Sequence, residues 1–256
     1  MTPRLAKAIE IAMAGGRSTL AHYQRGFEVE LKGDASPVTV ADKGAEALMR
    51  GMIDDFFPGE AILGEEEGMT GVGDDRWVLD PIDGTKSFVS GVPLYGTLVA
   101  YEQAGVPILG VVYFPALDEL FYAERGGGAF WGERRISVID PVDLDRAVVC
   151  SGSLNSLAKF GRLAGMMRLA ESTMAHRTWG DAYGHMLVAS GRVAGMFDPV
   201  VARWDVSAVI PIVEEAGGIC MGFDGSSVLG SGRSDHALEL VSVAPGLRDL
   251  TLECFV

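Results

Sequence analysis

Apolar residues recur at helical spacing at Leu5, Ile9, Ala12 and Met13, which predicts an amphipathic helix over roughly the first two dozen residues. Residues 27–32 alternate apolar and charged side chains and predict a short strand, and 34–37 reads as a turn. A second helix is expected to begin between Thr39 and Asp42 and to end before Pro58-Gly59. Ala61-Ile62-Leu63 reads as a buried strand running into Gly64-Glu65-Glu66-Glu67-Gly68, and 69–76, polar and glycine-rich, as a surface loop. Trp77-Val78-Leu79 predicts a strand that delivers Asp80. From 94 to 125 strand follows strand, with turns at Gly105-Val106-Pro107 and 115–118, the pattern of an antiparallel meander. Gly126-Gly127-Gly128 interrupts it and Ala129-Phe130-Trp131 resumes it.

Beyond about residue 145 the pattern alternates. Strands are expected at 147–150, 194–197, 218–221 and 238–243, with helices at 153–170, 181–190 and 204–216. The expectation is an α/β (α+β) chain in two halves without a visible linker. Residues 1–145 would carry an antiparallel sheet, and 146–256 a layered α/β half.

Composition narrows the function classes. The chain has 256 residues, 48% of them hydrophobic, enough for a large core. A formal net charge of −14 argues against nucleic acid or an anionic membrane as a partner. Cys150, Cys220 and Cys254 have neither disulfide-framework nor zinc spacing and read as small buried hydrophobes. No signal-peptide pattern and no run of the roughly 20 apolar residues needed to span a bilayer is present, so a cytoplasmic protein is expected.

The chemistry concentrates in Asp80-Pro81-Ile82-Asp83-Gly84-Thr85. Two carboxylates and the Ile82 carbonyl can meet at one point, an all-oxygen site for a hard divalent cation such as Mg²⁺. Pro81 stiffens the turn, and the Gly84 and Thr85 N–H groups suit an anion if a helix starts there. A D-x-x-D-G alone also describes a solvated turn. Three further acidic elements stand at predicted strand or helix ends: Gly64-Glu65-Glu66, Trp204-Asp205, and Thr39-Val40-Ala41-Asp42. Singly, Glu65 would be a turn residue, and Asp42 and Asp205 helix caps.

Order and spacing together make the chain similar to the inositol-monophosphatase-like, lithium-sensitive, Mg²⁺-dependent phosphatases. The matching pieces are Gly64-Glu65-Glu66, Trp77-x-x-Asp80-Pro81-x-Asp83-Gly84-Thr85, and Trp204-Asp205-x-x-Ala208 with Glu215-Ala216-Gly217-Gly218. The resemblance implies a layered αβαβα sandwich of the inositol monophosphatase/fructose bisphosphatase type, usually dimeric. It further implies metal ligation of two or three Mg²⁺ ions by Glu65, Asp80, Asp83, Asp205 and the Ile82 carbonyl. Asp42 and Thr85 would orient the attacking water, with Glu65 and Thr85 receiving or relaying its proton, and Gly84 and Thr85 would hold the phosphate. Such a site hydrolyses phosphate monoesters by direct attack of water, the cations lowering the water pKa and steadying the leaving oxygen. Bare, its carboxylates would repel one another.

Substrate choice falls to other residues. The resemblance places Asp181, in Trp179-Gly180-Asp181-Ala182, at a glycine-led helix start that contacts substrate, and Asp198 at the position of a substrate-binding acid. Negative charge there favours a cationic leaving group. Lys86 after Thr85, Gly91-Val92-Pro93-Leu94 and Arg177-Thr178-Trp179-Gly180-Asp181 resemble the histidinol-phosphate phosphatase branch. Inositol 1-phosphate is the alternative substrate, or a promiscuous sugar/nucleotide phosphatase the alternative activity, and a dedicated nucleotide 3′-phosphatase is disfavoured by Ser87 after Lys86. Otherwise Asp181 caps its helix and Lys86 is merely solvated. Arg192 and Arg203 are expected to pair with surface acids, and a catalytically silent regulatory protein is the alternative from another class.

Overall fold

The computed structural model describes residues 1–25, 30–31, 37–38, 40–229 and 235–256. The expected strand at 27–32 and turn at 34–37 fall largely outside these residues, as does Thr39. Within them β1 (Glu30–Leu31) pairs antiparallel with β2 (Pro37–Val38).

The N-terminal helix α1 (Pro3–Thr19) starts where its sequence dictates. The Thr2 hydroxyl accepts the Leu5 N–H at 3.2 Å, and Pro3 occupies the first turn, where its missing N–H costs nothing. Its apolar stripe (Leu5, Ala8, Ile11, Ala12) and the Met49–Ile53 face of α2 (Val40–Phe56) cover one side of a sheet. Among the described residues that sheet has eight strands. They are β3 (Ala61–Gly64), β4 (Gly68–Thr70), β5 (Arg76–Asp83), β6 (Gly96–Gln103), β7 (Val106–Phe114), β8 (Glu119–Glu124), β9 (Gly128–Trp131) and β10 (Arg134–Ile136), in the order β10-β9-β8-β7-β6-β5-β3-β4. From β5 to β10 it is the expected antiparallel meander.

The second sheet has β11 (Val148–Ser151), β12 (Ala175–Arg177), β13 (Gly195–Val201), β14 (Ile219–Met221) and β15 (Leu238–Val243) in the order β12-β11-β13-β15-β14. Between the sheets lie α6 (Asp181–Ala189), α7 (Arg203–Ser207) and α8 (Val209–Glu215). Their Ala182, Met186, Val206, Val209 and Ile212 form one core with Val78, Leu98 and Val112 of the first sheet and Leu240 of the second. The outer face of the second sheet is covered by α4 (Leu154–Lys159), α5 (Leu163–Glu171) and α9 (Arg248–Phe255). The five layers are those of the expected αβαβα sandwich.

Three expectations are corrected. The single helix at 153–170 is two, because Gly161 takes the left-handed conformation (φ 72°) and ends α4. The Arg162 N–H then closes back on the Leu157 carbonyl at 2.7 Å and the Gly161 N–H on Ala158 at 3.2 Å. The helix at 204–216 is also two, because Pro211 has no N–H for the Ser207 carbonyl and its ring crowds that carbonyl, so the chain breaks at Ala208. The loop at 69–76 is in part strand β4, paired to β3 at the sheet edge. Close approach of α7–α8 to the first sheet depends on Gly110 of β7, where any Cβ would collide with the Ala208 carbonyl oxygen.

Candidate active site

A strand alternates its side chains, so Asp80 and Asp83, three residues apart on β5, would face opposite ways in a regular ladder. They do not, because the ladder slips. Asp80 pairs with Leu98 and Asp83 with Gly96, so three steps on β5 oppose two on β6. The extra residue is a bulge, and it restores both carboxylates to one face. Pro81 sits in it and needs no ladder donor, while its carbonyl takes the Thr97 hydroxyl at 2.8 Å. The Asp80 carboxylate accepts the Ile82 N–H at 3.0 Å. The Ile82 side chain is locked among Ala41, Phe88 and Tyr95, and its carbonyl accepts the Thr85 hydroxyl at 3.2 Å. At Gly84 the chain turns with φ 78°, and α3 (Thr85–Val89) begins there.

Oxygens of Asp80, Asp83 and Asp205 lie within 4.8 Å of one another. Asp205 comes from the first turn of α7, where its Oδ2 also accepts the Ala202 N–H at 2.7 Å. It is not the expected N-cap, which is Ala202; from the third helical position it reaches back to the N–H of that cap and also joins the cluster. Glu65, at the end of β3, stands within hydrogen-bond reach of Asp80. Its loop is fixed from behind by the buried Glu46, which accepts the Glu66 and Glu67 N–H groups at 2.8 and 3.0 Å and pairs with Arg50 at 2.8 Å. Asp42 is buried in the first turn of α2, beside the Ala41 that packs on Ile82.

The electrostatics are those of like charges confined together. Burial, then Glu65, Asp83 and Asp205, push the Asp80 carboxyl well above its usual range. Burial, then Asp181 and Asp205, do the same to Asp83. Asp205 is pushed up to about 7, chiefly by burial and then by Glu65 and Asp181. Carboxylates so placed fit a hard divalent cation, because only bound positive charge lets all of them ionise together.

One cleft takes in Glu65, Asp80, Asp83 and Asp205, the Ile82-Gly84-Thr85 turn, and Asp181, Ala182 and Asp198. Asp181 does not cap α6, whose N-cap Gly180 has no side-chain partner. The Ala182 N–H instead donates across the two halves to Asp83 Oδ2 at 2.7 Å. Asp181 itself is held with φ 58°, a left-handed conformation that is costly outside glycine and concentrates at functional positions. Burial and then Asp198 raise its carboxyl to about 6, and Lys86, also on the cleft wall, opposes that rise.

Sequence reasoning missed His185, which lines the cleft and bonds Asp198. A histidine on a helix buried at seven of nine positions carries no signal that separates it from core. Neither arginine lines the cleft. Arg203 binds the buried Glu102 at 2.9 Å, Asp235 at 3.2 Å and the Gly105 carbonyl at 2.7 Å, and Arg192 lies over the Trp131 ring at 4.4 Å. The partner of Arg203 is thus partly an interior acid rather than a surface one. The three cysteines are free thiols, and burial raises both Cys150 and Cys220 to about 12.

Residues 1–251 match the model of the inositol monophosphatase family. A histidinol-phosphatase of Chlorobaculum parvum is 44% identical over 88% of this chain and 88% of its own length. An inositol-1-monophosphatase of Mesorhizobium japonicum is 34% identical over 85% of this chain and 84% of its own. The solved IMPase of Thermotoga maritima superposes with a TM-score of 0.88 at 32% identity, over 99% of this chain and 97% of that one. Motif order, layered fold and converging acids thus agree with the likeness over the whole length, and the chain belongs to the inositol monophosphatase family.

Proposed function

We propose that the chain is an Mg²⁺-dependent histidinol-phosphate phosphatase. As a member of the family it is a phosphoric monoester hydrolase acting on small phosphorylated substrates. The observation that carries the finer reading is the pair of carboxylates, Asp181 and Asp198, that share the cleft with the acidic cluster. They set negative charge where the organic part of the ester would lie, and histidinol phosphate brings an ammonium and an imidazole to it. The 44% identity to a protein called histidinol-phosphatase supports the same choice.

In this reading Glu65, Asp80, Asp83, Asp205 and the Ile82 carbonyl hold the metal, as two or three ions. Bound Mg²⁺ supplies the positive charge that lowers the pKa of water and offsets charge on the phosphoryl group. Backbone N–H groups of Gly84 and Thr85 bind phosphoryl oxygens. Asp42 and Thr85 orient the attacking water, and Glu65 and Thr85 receive or relay its proton. The phosphorus–oxygen bond breaks without a covalent enzyme intermediate. Asp181, Asp198, Gly180 and Ala182 receive the alcohol portion. Residues 1–145 and 146–256 act as one catalytic unit, in a cytoplasmic homodimer.

The test is phosphate release from histidinol phosphate, inositol 1-phosphate and adenosine 3′,5′-bisphosphate, side by side, with Mg²⁺ and with EDTA. We expect the highest kcat/KM on histidinol phosphate and loss of all activity in EDTA. A preference for inositol 1-phosphate would move the enzyme to the other branch. Silence toward all three with Mg²⁺ would support a regulatory role instead.

A further inference from the structure

Beneath Asp198 runs a buried polar chain that none of the proposed steps uses. His185 Nε2 lies 3.2 Å from Asp198 Oδ2, and His185 Nδ1 lies 2.8 Å from the Ser242 hydroxyl. The histidine is 2% exposed and Ser242 is fully buried, so these contacts are fixed by packing. Ser242 in turn has Cys220 Sγ at 3.7 Å. On its other side Asp198 presses on Gly152, where a Cβ would collide with Oδ1. The ring thus holds Oδ2, and the missing side chain of Gly152 leaves room for Oδ1.

We infer that His185, oriented by Ser242, is a positioning residue that holds the Asp198 carboxylate aimed into the cleft for the cationic part of the substrate. The direction of the chain follows from its members. Asp198 as a carboxylate can only accept, so Nε2 carries the proton; Nδ1 then accepts, and the Ser242 hydroxyl donates to it. Each partner fixes the tautomer of the next, as an outer partner fixes a metal-bound imidazole. A carboxylate with one oxygen tied to a ring N–H keeps the other for substrate, and a charge-assisted bond to an ammonium or imidazolium is about twice as strong as a neutral one. A polyol lacks that charge, so the device favours cationic esters.

This inference rests on the histidinol-phosphate reading, and the experiment separates the two. His185→Phe keeps the ring volume and removes both nitrogens; His185→Gln keeps a donor for Asp198. Both are assayed with Mg²⁺ on histidinol phosphate and inositol 1-phosphate, beside wild type. For His185→Phe we expect the ratio of kcat/KM, histidinol phosphate over inositol 1-phosphate, to fall about tenfold, through KM rather than kcat. His185→Gln should recover most of that ratio. A ratio within twofold of wild type in His185→Phe, or equal behaviour of the Phe and Gln variants, overturns the role of His185. Should His185→Phe fail to fold, Ser242→Ala replaces it: the ratio falls in the same direction, and an unmoved ratio overturns the inference. A wild-type preference for inositol 1-phosphate overturns the substrate reading alone, since the shift between variant and wild type still decides what His185 does.

Discussion

Asp83 does two jobs that substitution can separate. Its charge belongs to the acidic cluster, and its Oδ2 accepts the Ala182 N–H at the start of α6. Asp83→Asn keeps an acceptor oxygen for that N–H and loses the charge. Turnover should fall about a hundred- to a thousandfold, the scale of one lost electrostatic contact in the transition state, while the melting temperature without metal stays level or rises. Asp83→Ala loses both, and should also destabilise the protein by about 1–2 kcal/mol, the cost of a missing helix cap. Phosphate release and thermal melts of the two variants check this, and wild-type turnover in Asp83→Asn would remove Asp83 from the site. Legibility at this scale follows contiguity. Asp80-Pro81-Ile82-Asp83-Gly84-Thr85 could be read directly because one bulge carries it all. His185 could not, because its meaning lies in Asp198 and Ser242, thirteen and 57 residues away.

Elements were legible in proportion to their periodicity. Strand β15 falls where the apolar run placed it, and α1 and α2 begin and end near their caps and breakers. Strand β12 has three residues and no pattern to detect, and α9, which sequence reading passed over, is a mixed helix whose burial depends on a sheet far away in sequence. The most consequential omission was the Glu46–Arg50 pair. At i,i+4 on a helix it reads as a surface ion pair, yet Glu46 is fully buried and its carboxylate holds the loop that presents Glu65. Removing one member of a buried pair strands the other charge. Glu46→Ala should therefore cost about 3–5 kcal/mol in denaturant unfolding. Because the lost acceptor serves the N–H groups next to Glu65, the Mg²⁺ concentration for half-maximal activity should also rise severalfold. A destabilised variant with an unchanged Mg²⁺ requirement would show that the loop keeps its place without Glu46.

At the scale of the whole molecule, the sandwich brings Glu65, Asp80 and Asp83 of one half and Asp181, Asp198 and Asp205 of the other to one cleft, and folding must confine their charge there. Asp205 and Asp181 titrate at about 7 and about 6 in the folded chain, both above the ordinary 3.8, and Asp80 and Asp83 are raised as well. The folded protein therefore binds more protons than the unfolded chain between those limits. Its stability from these groups is intact below the unfolded value and is lost as pH rises through the folded ones, at up to about 1.4 kcal/mol per pH unit for each group. Bound Mg²⁺ inverts the balance, since it favours the ionised carboxylates and binds only where they converge. At a hundredfold excess over its Kd a ligand stabilises by about 2.7 kcal/mol. The melting temperature of chelated protein should thus fall from pH 5 to pH 8. Added Mg²⁺ should raise it by several degrees at pH 8 and by little at pH 5, where protons already occupy the site. Comparing the two at each pH cancels titrating groups elsewhere in this acidic chain, so an equal Mg²⁺ shift at both pH values would mean that the buried carboxylates are not where the metal binds.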